Sequence, residues 1–96
     1  MKIDKELAAD VEKIKAAYPP RWSHPSYRNP YLTESELGVL KMVAYGKTNQ
    51  EIAKALFIDP TTVRTHVKHI HGKCDIKGRP RLAIAAYKFY NGENNA

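Results

Sequence analysis

Residues 48–74 read TNQEIAKALFIDPTTVRTHVKHIHGKC, and two helix-start signals inside this stretch decide the fold. Thr48 followed by Glu51 is a capping box, in which each side chain satisfies a free backbone amide of the first turn. It opens a short helix whose Ile52, Ala53 and Leu56 share one apolar face. Phe57, Ile58 and Asp59 then make a tight connection, after which Asp59 can cap and Pro60 can take the first position of a longer helix, to about Cys74. At 100° per residue Val63, Val67, Ile70 and Cys74 fall in one narrow arc, the expected core face. A short helix, a tight turn and a longer helix are the parts of a helix-turn-helix.

The opposite arc of the longer helix carries Thr61, Arg64, Thr65, Lys68, His69 and Gly72, donors and cations with no acid among them. An ordinary solvated face can also be basic, so the arc alone decides little. Combined with the short helix and turn before it, the arc suits the B-DNA major groove, about 12 Å wide, where Arg and Lys bond guanine edges and Thr meets phosphate or the thymine methyl.

Working outward, Thr33 with Glu36 is a second capping box, and Gly46 can close that helix in a left-handed conformation, giving a helix from about Glu34 to Tyr45. Downstream, Pro80, preceded by Gly78 and Arg79, starts a last helix through Leu82, Ala83, Ala86, Tyr87 and Tyr90, before Gly92 and an Asn-rich end. Upstream, Ile3, Leu7, Val11, Ile14 and Tyr18 recur at spacings of four, four, three and four, which predicts an amphipathic helix ended by Pro19 and Pro20. The stretch from Pro19 to Tyr31 holds four prolines and four aromatic or imidazole side chains and reads as an extended connector. The expected organisation is all-α: an N-terminal helix and connector over 1–31, a four-helix domain over 32–90, and a flexible tail over 91–96.

The chain has 96 residues and a formal charge of +6, enough for one modest core and rarely for an enzyme site as well. The charge is local. Between Asp59 and Arg81 stand six cations, Arg64, Lys68, Lys73, Lys77, Arg79 and Arg81, against two acids, Asp59 and Asp75. With a sequence isoelectric point near 9.5, this points to a nucleic-acid partner. A single cysteine, Cys74, excludes an internal disulfide and fits a reducing compartment. No apolar run approaches the ~18 residues of a membrane span, and the N-terminus is not that of a signal peptide, so a cytoplasmic protein making no membrane contact is expected. His66, His69, His71 and Cys74 invite a metal reading. However, His66 and His71 lie about 140° apart on the helix and Cys74 belongs to the core arc, so no metal or other cofactor is expected. No glycine-rich phosphate loop, carboxylate pair or Ser/His/Asp signature argues for catalysis, and the chain is read as a non-enzyme.

The segment from Leu32 to Phe89 resembles the LuxR-type effector domain, similar to GerE, FixJ and NarL. The resemblance is carried by Leu32-Thr33-x-x-Glu36, Val39-Leu40, Ala44-x-Gly46, Asn49-x-Glu51-Ile52-Ala53, Leu56-x-Ile58 and Thr62-Val63-Arg64-x-His66-Val67. It implies a four-helix domain whose third helix enters the major groove and whose fourth mediates dimerisation. Carried over by position, it implies base contacts at Arg64, Thr65 and Lys68, and backbone contacts at Thr61, Thr62, Lys73 and Arg79. His66 stands beside the buried face, where it reaches a phosphate or packs, and Ile84, Tyr87 and Lys88 form the dimer surface. The implied function is a bacterial transcriptional regulator that binds duplex DNA as a homodimer, with RNA polymerase or a larger regulator as further partners. The alternative is a small interaction module that pairs with a larger relative through Leu37, Gly38, Tyr87 and Phe89. No receiver or ligand-binding domain is expected, so regulation falls to abundance, a partner or the N-terminal extension.

Several positions depart from the family pattern. Gly72 stands where a long or charged residue is usual, Cys74 replaces a leucine, and Pro80 replaces a Thr or Ser cap. Leu37, Gly38 and Tyr45 make an apolar patch, which the N-terminal helix or its connector is expected to cover; alternatively, that helix pairs with its copy in a second subunit.

Overall fold

Each of the three central helices begins at the side chain expected to cap it. In the computed structural model, which describes residues 5–19 and 30–92, the Thr33 hydroxyl accepts from the Glu36 amide at 3.1 Å while the Glu36 carboxylate accepts from the Thr33 amide at 2.9 Å. Thr48 and Glu51 repeat the exchange at 3.1 and 2.8 Å, and Asp59 accepts from the Thr61 amide at 2.8 Å. These caps open α2 (Glu34–Ala44), α3 (Asn49–Leu56) and α4 (Pro60–Cys74); α1 is Lys5–Ala17 and α5 Arg79–Tyr87. Among the described residues there is no strand, and the all-α reading stands.

The ends of α2 and α5 each differ a little from expectation. Helix α2 stops at Ala44 with Tyr45 as its cap and Gly46 at φ +77°, the left-handed residue glycine adopts without steric cost. The chain beyond Tyr87 widens into a π-helical turn, Lys88–Gly92, in which the Asn91 side-chain amide donates to the Tyr87 carbonyl at 3.0 Å. Asn91 and Gly92, expected in the tail, therefore extend the last helix; residues 93–96 lie outside the described residues. Phe57 and Asp75 end α3 and α4 in the left-handed region, at φ 58° and 56°, although neither is glycine.

The core lies where α2, α4 and α5 meet. Val39, Leu40 and Val43 from α2, Val63, Ile70 and Cys74 from α4, and Leu82, Ala85 and Ala86 from α5 are buried together, with Ile52 and Ala53 of α3 packed on α4. The N-terminal helix joins this core. Its Val11, Ile14 and Ala17 are buried, and α1 packs against α5 and α4.

This seat corrects the expectation that the N-terminal helix covers Leu37, Gly38 and Tyr45, and equally the expectation that it pairs with its own copy: its apolar face is already inside the chain's core. The connector's part in that expectation lies mostly outside the described residues. Asp10 fixes the seat. Its carboxylate, 1 % exposed, accepts from Arg81 Nε at 2.6 Å and Nη2 at 3.1 Å, the bidentate geometry that makes guanidinium–carboxylate pairs directional.

Candidate nucleic-acid interface

With Val63, Val67, Ile70 and Cys74 locked in the core, the rotation of α4 is set and its opposite arc faces out. Thr61, Arg64, Thr65, Lys68, His69 and Gly72 are all exposed. Among the described residues, neither the Arg64 guanidinium nor the Lys68 ammonium makes a hydrogen bond or ion pair. The Thr65 hydroxyl donates back to the Thr61 carbonyl at 3.2 Å. The arc presents two uncommitted cations one turn apart with hydroxyls beside them, the groups that read base edges in a major groove.

The expected backbone contacts divide. Thr61 and Thr62 stand exposed at the first turn, where the helix N-terminus favours an anion. His66 is half-buried, and its Nδ1 is buried without a hydrogen-bond partner among the described residues. Lys73 and Arg79 are engaged inside the protein. Lys73 Nζ donates to Glu36 Oε1 at 2.7 Å and to the Tyr31 carbonyl at 2.8 Å, tying the end of α4 to the start of α2. Arg79 donates to the Asn49 side-chain oxygen and, at 2.8 Å, to the Lys47 carbonyl, pinning the start of α3.

Glu36 is the hub that sequence reasoning assigned only to a cap. Its side chain is 4 % exposed, and His69 Nδ1 lies 3.5 Å from its second oxygen. Burial pushes its pKa up, but the Lys73 hydrogen bond, the Thr33 amide and the charges of Lys73 and His69 outweigh this and hold it below its ordinary 4.5. Cys74 sits beside this network, and burial together with the Glu36 charge pushes its thiol up to about 11. It is therefore a protonated core residue and not a nucleophile. Among the described residues no three His, Cys, Asp or Glu side chains gather closely enough to hold a metal ion.

Ile84 and Tyr87 on α5 and Lys88 at the start of the π-helical turn line up at helical spacing and are exposed, Ile84 by 58 % and Tyr87 by 51 %. The Tyr87 ring meets Tyr45 edge-on at 5.8 Å, and the Tyr45 hydroxyl donates to Asn91 Oδ1 at 3.4 Å. Glu6 and Leu7 of α1 flank Ile84 across a shallow cleft, so α1 borders this stripe. On the other side of Tyr45, Gly38, Met42 and Leu56 line an open apolar groove of about 350 Å³ with Lys41 and Lys47 beside them.

The two ion pairs were the residues missed. Asp10 carried a signal, because it falls between Leu7 and Ile14 at core spacing, where a lone carboxylate calls for a cationic partner. No helix among the described residues is long and apolar enough to cross a membrane.

The family model for bacterial regulatory proteins of the luxR family matches residues 30–86. The transcriptional regulatory protein LiaR of Bacillus subtilis is 44% identical over 57 residues, covering 59% of this chain and 27% of that protein. The uncharacterized transcriptional regulatory protein YhcZ of Bacillus subtilis is 46% identical over 63 residues, covering 65% of this chain and 29% of that protein. The response regulator protein VraR of Staphylococcus aureus is 42% identical over 57 residues, covering 59% and 27% respectively. This chain thus spans less than a third of the length of these relatives. No solved structure matches it.

Proposed function

Because the chain belongs to the luxR family of bacterial regulatory proteins, we propose that it binds duplex DNA in a sequence-specific manner, as a homodimer, and regulates transcription. The observation that carries this reading is the uncommitted arc of Arg64, Thr65 and Lys68 on a helix whose other face is fixed in the core. Arg64 and Lys68 bond base edges; Thr61, Thr62 and the half-buried His66 meet the sugar-phosphate backbone. Lys73 contributes positive potential and holds α4 in place, its ammonium being already on Glu36. Arg79 acts from the α3–α5 seam, supporting the start of α3 while adding charge beside the duplex. Ile84, Tyr87 and Lys88 supply the two-fold contact. The protein works in the cytoplasm.

Selection of bound sites from a random duplex library at physiological salt tests this, with the Arg64→Ala/Lys68→Ala variant as control. A roughly palindromic motif that the variant fails to enrich is the expected result, since phosphate contacts alone bind without sequence preference. The open groove lined by Gly38, Met42 and Leu56 favours a second reading, an interaction module that pairs with a larger regulator. Absence of any enriched motif with the wild-type chain selects that reading.

A further inference from the structure

Gly72 is an interior residue of α4 that neither conformation nor packing requires to be glycine. Unlike Gly46 and Gly78 it has no positive φ. A Cβ added to it would meet nothing within 4 Å. Alanine there would strengthen the helix, so nothing among the described residues accounts for the bare position.

Its surroundings are specific. Gly72 lies on the arc opposite the core, one turn beyond Lys68, and belongs to an open concavity of about 510 Å³ lined by Pro30, Lys68, His69, Gly72 and Lys73. Lys68 is exposed and without a partner among the described residues. His69 is 55 % exposed, with Nδ1 toward Glu36. No acid is among the described residues that line it, and Glu36 behind Lys73 is covered, its carboxylate lying 2.7 Å from Lys73 Nζ. The concavity therefore has a cationic rim and a floor from which the side chain is missing.

We propose that Gly72 is a close-approach seat for the sugar-phosphate backbone of bound duplex, flanked by Lys68 and His69. The inference rests on the DNA-binding reading above and extends it to a residue whose contribution is the volume it leaves empty. A strand lying against the Cα of Gly72 brings its phosphate beside His69 and into the positive potential of Lys68, whose ammonium goes to the base edges; a side chain there holds it off.

The test uses the full chain, the duplex enriched by selection, and the variants Gly72→Ala and Gly72→Leu. Because Gly72 is exposed and an added Cβ meets nothing within 4 Å, thermal melting should show both variants folded, with the Ala variant melting higher than wild type. Affinity should fall with side-chain size, a few-fold for Ala and more than about tenfold for Leu. The salt dependence of binding should flatten by about one phosphate contact in the Leu variant. Higher melting with unchanged or tighter binding in both variants overturns the seat while leaving DNA binding intact, as the Arg64→Ala/Lys68→Ala control would show. A wild-type chain that enriches no duplex overturns both.

Discussion

Lys73 and Arg64 are both basic residues of α4, yet the structure gives them opposite duties, and their substitutions should separate cleanly. Arg64 is exposed and makes no hydrogen bond or ion pair among the described residues, so Arg64→Ala should leave the melting temperature nearly unchanged. It should cost about 1–3 kcal/mol of binding, concentrated at one base pair. Lys73 closes a nearly buried ion pair with Glu36. Lys73→Ala strands that carboxylate and should destabilise the fold by about 3 kcal/mol, read by chemical denaturation, before any effect on DNA is considered. Glu36 also carries a pH signature. Its folded pKa lies below its ordinary 4.5, so its contribution is fully present above that value and is lost as pH falls through the lower folded value. Melting curves from pH 6 down to about pH 3 should therefore show a loss that Glu36→Gln reduces, the variant starting less stable at pH 6 and converging on wild type in acid. Thr33 and Glu36 could be read as a cap because four consecutive residues encode it. The partnership of Glu36 with Lys73 could not, because the two are brought together only when α2 packs on α4.

Among the elements, α1 best marks the boundary between what sequence carries and what packing decides. Its existence followed from the spacing of Leu7, Val11 and Ile14, a local property. Its partner did not. Two surfaces were apolar enough to receive it, the patch around Leu37, Gly38 and Tyr45 and the cleft beside α5, and only the second has Arg81 placed to meet Asp10. The Pro60 start and core arc of α4 were legible for the same local reason as the α1 periodicity, and so was the outward arc that makes the candidate site. Helix α1 is thus a structural part of the domain. Ile14, fully buried, should cost about 3 kcal/mol as Ile14→Ala and lower the melting temperature by roughly 15 °C, and deletion of residues 1–31 should cost more. A deletion variant melting like the full chain would mean that α1 does not hold this seat in solution. The end of α3 is a smaller case of hidden strain. Phe57 is left-handed and 93 % exposed, so Phe57→Gly relieves strain without removing buried area and should not lower stability.

For the whole molecule, the proposed function requires one small basic domain to be placed twice on a duplex. The positive field gathers along α4 and the start of α5, which draws the chain to DNA without fixing spacing. Spacing needs a second copy at a set distance, because two recognition helices sample successive major grooves only when a two-fold axis holds them about one helical turn apart. The apolar stripe of Ile84 and Tyr87 lies on α5, whose other side packs on α2 and α1, so a contact made there is transmitted rigidly to α4 through the shared core. Tyr45 stiffens this stripe from α2 by its edge-on contact with Tyr87. Ile84→Asp places a charge where two copies would meet, yet the position is 58 % exposed in the single chain. The substitution should therefore leave melting nearly unchanged while shifting sedimentation to the monomer. Binding to a palindromic duplex should then lose its steep concentration dependence and fall to that of one half-site. A variant that stays dimeric would place the two-fold contact elsewhere, with the groove beside Gly38 and Leu56 the next surface to substitute.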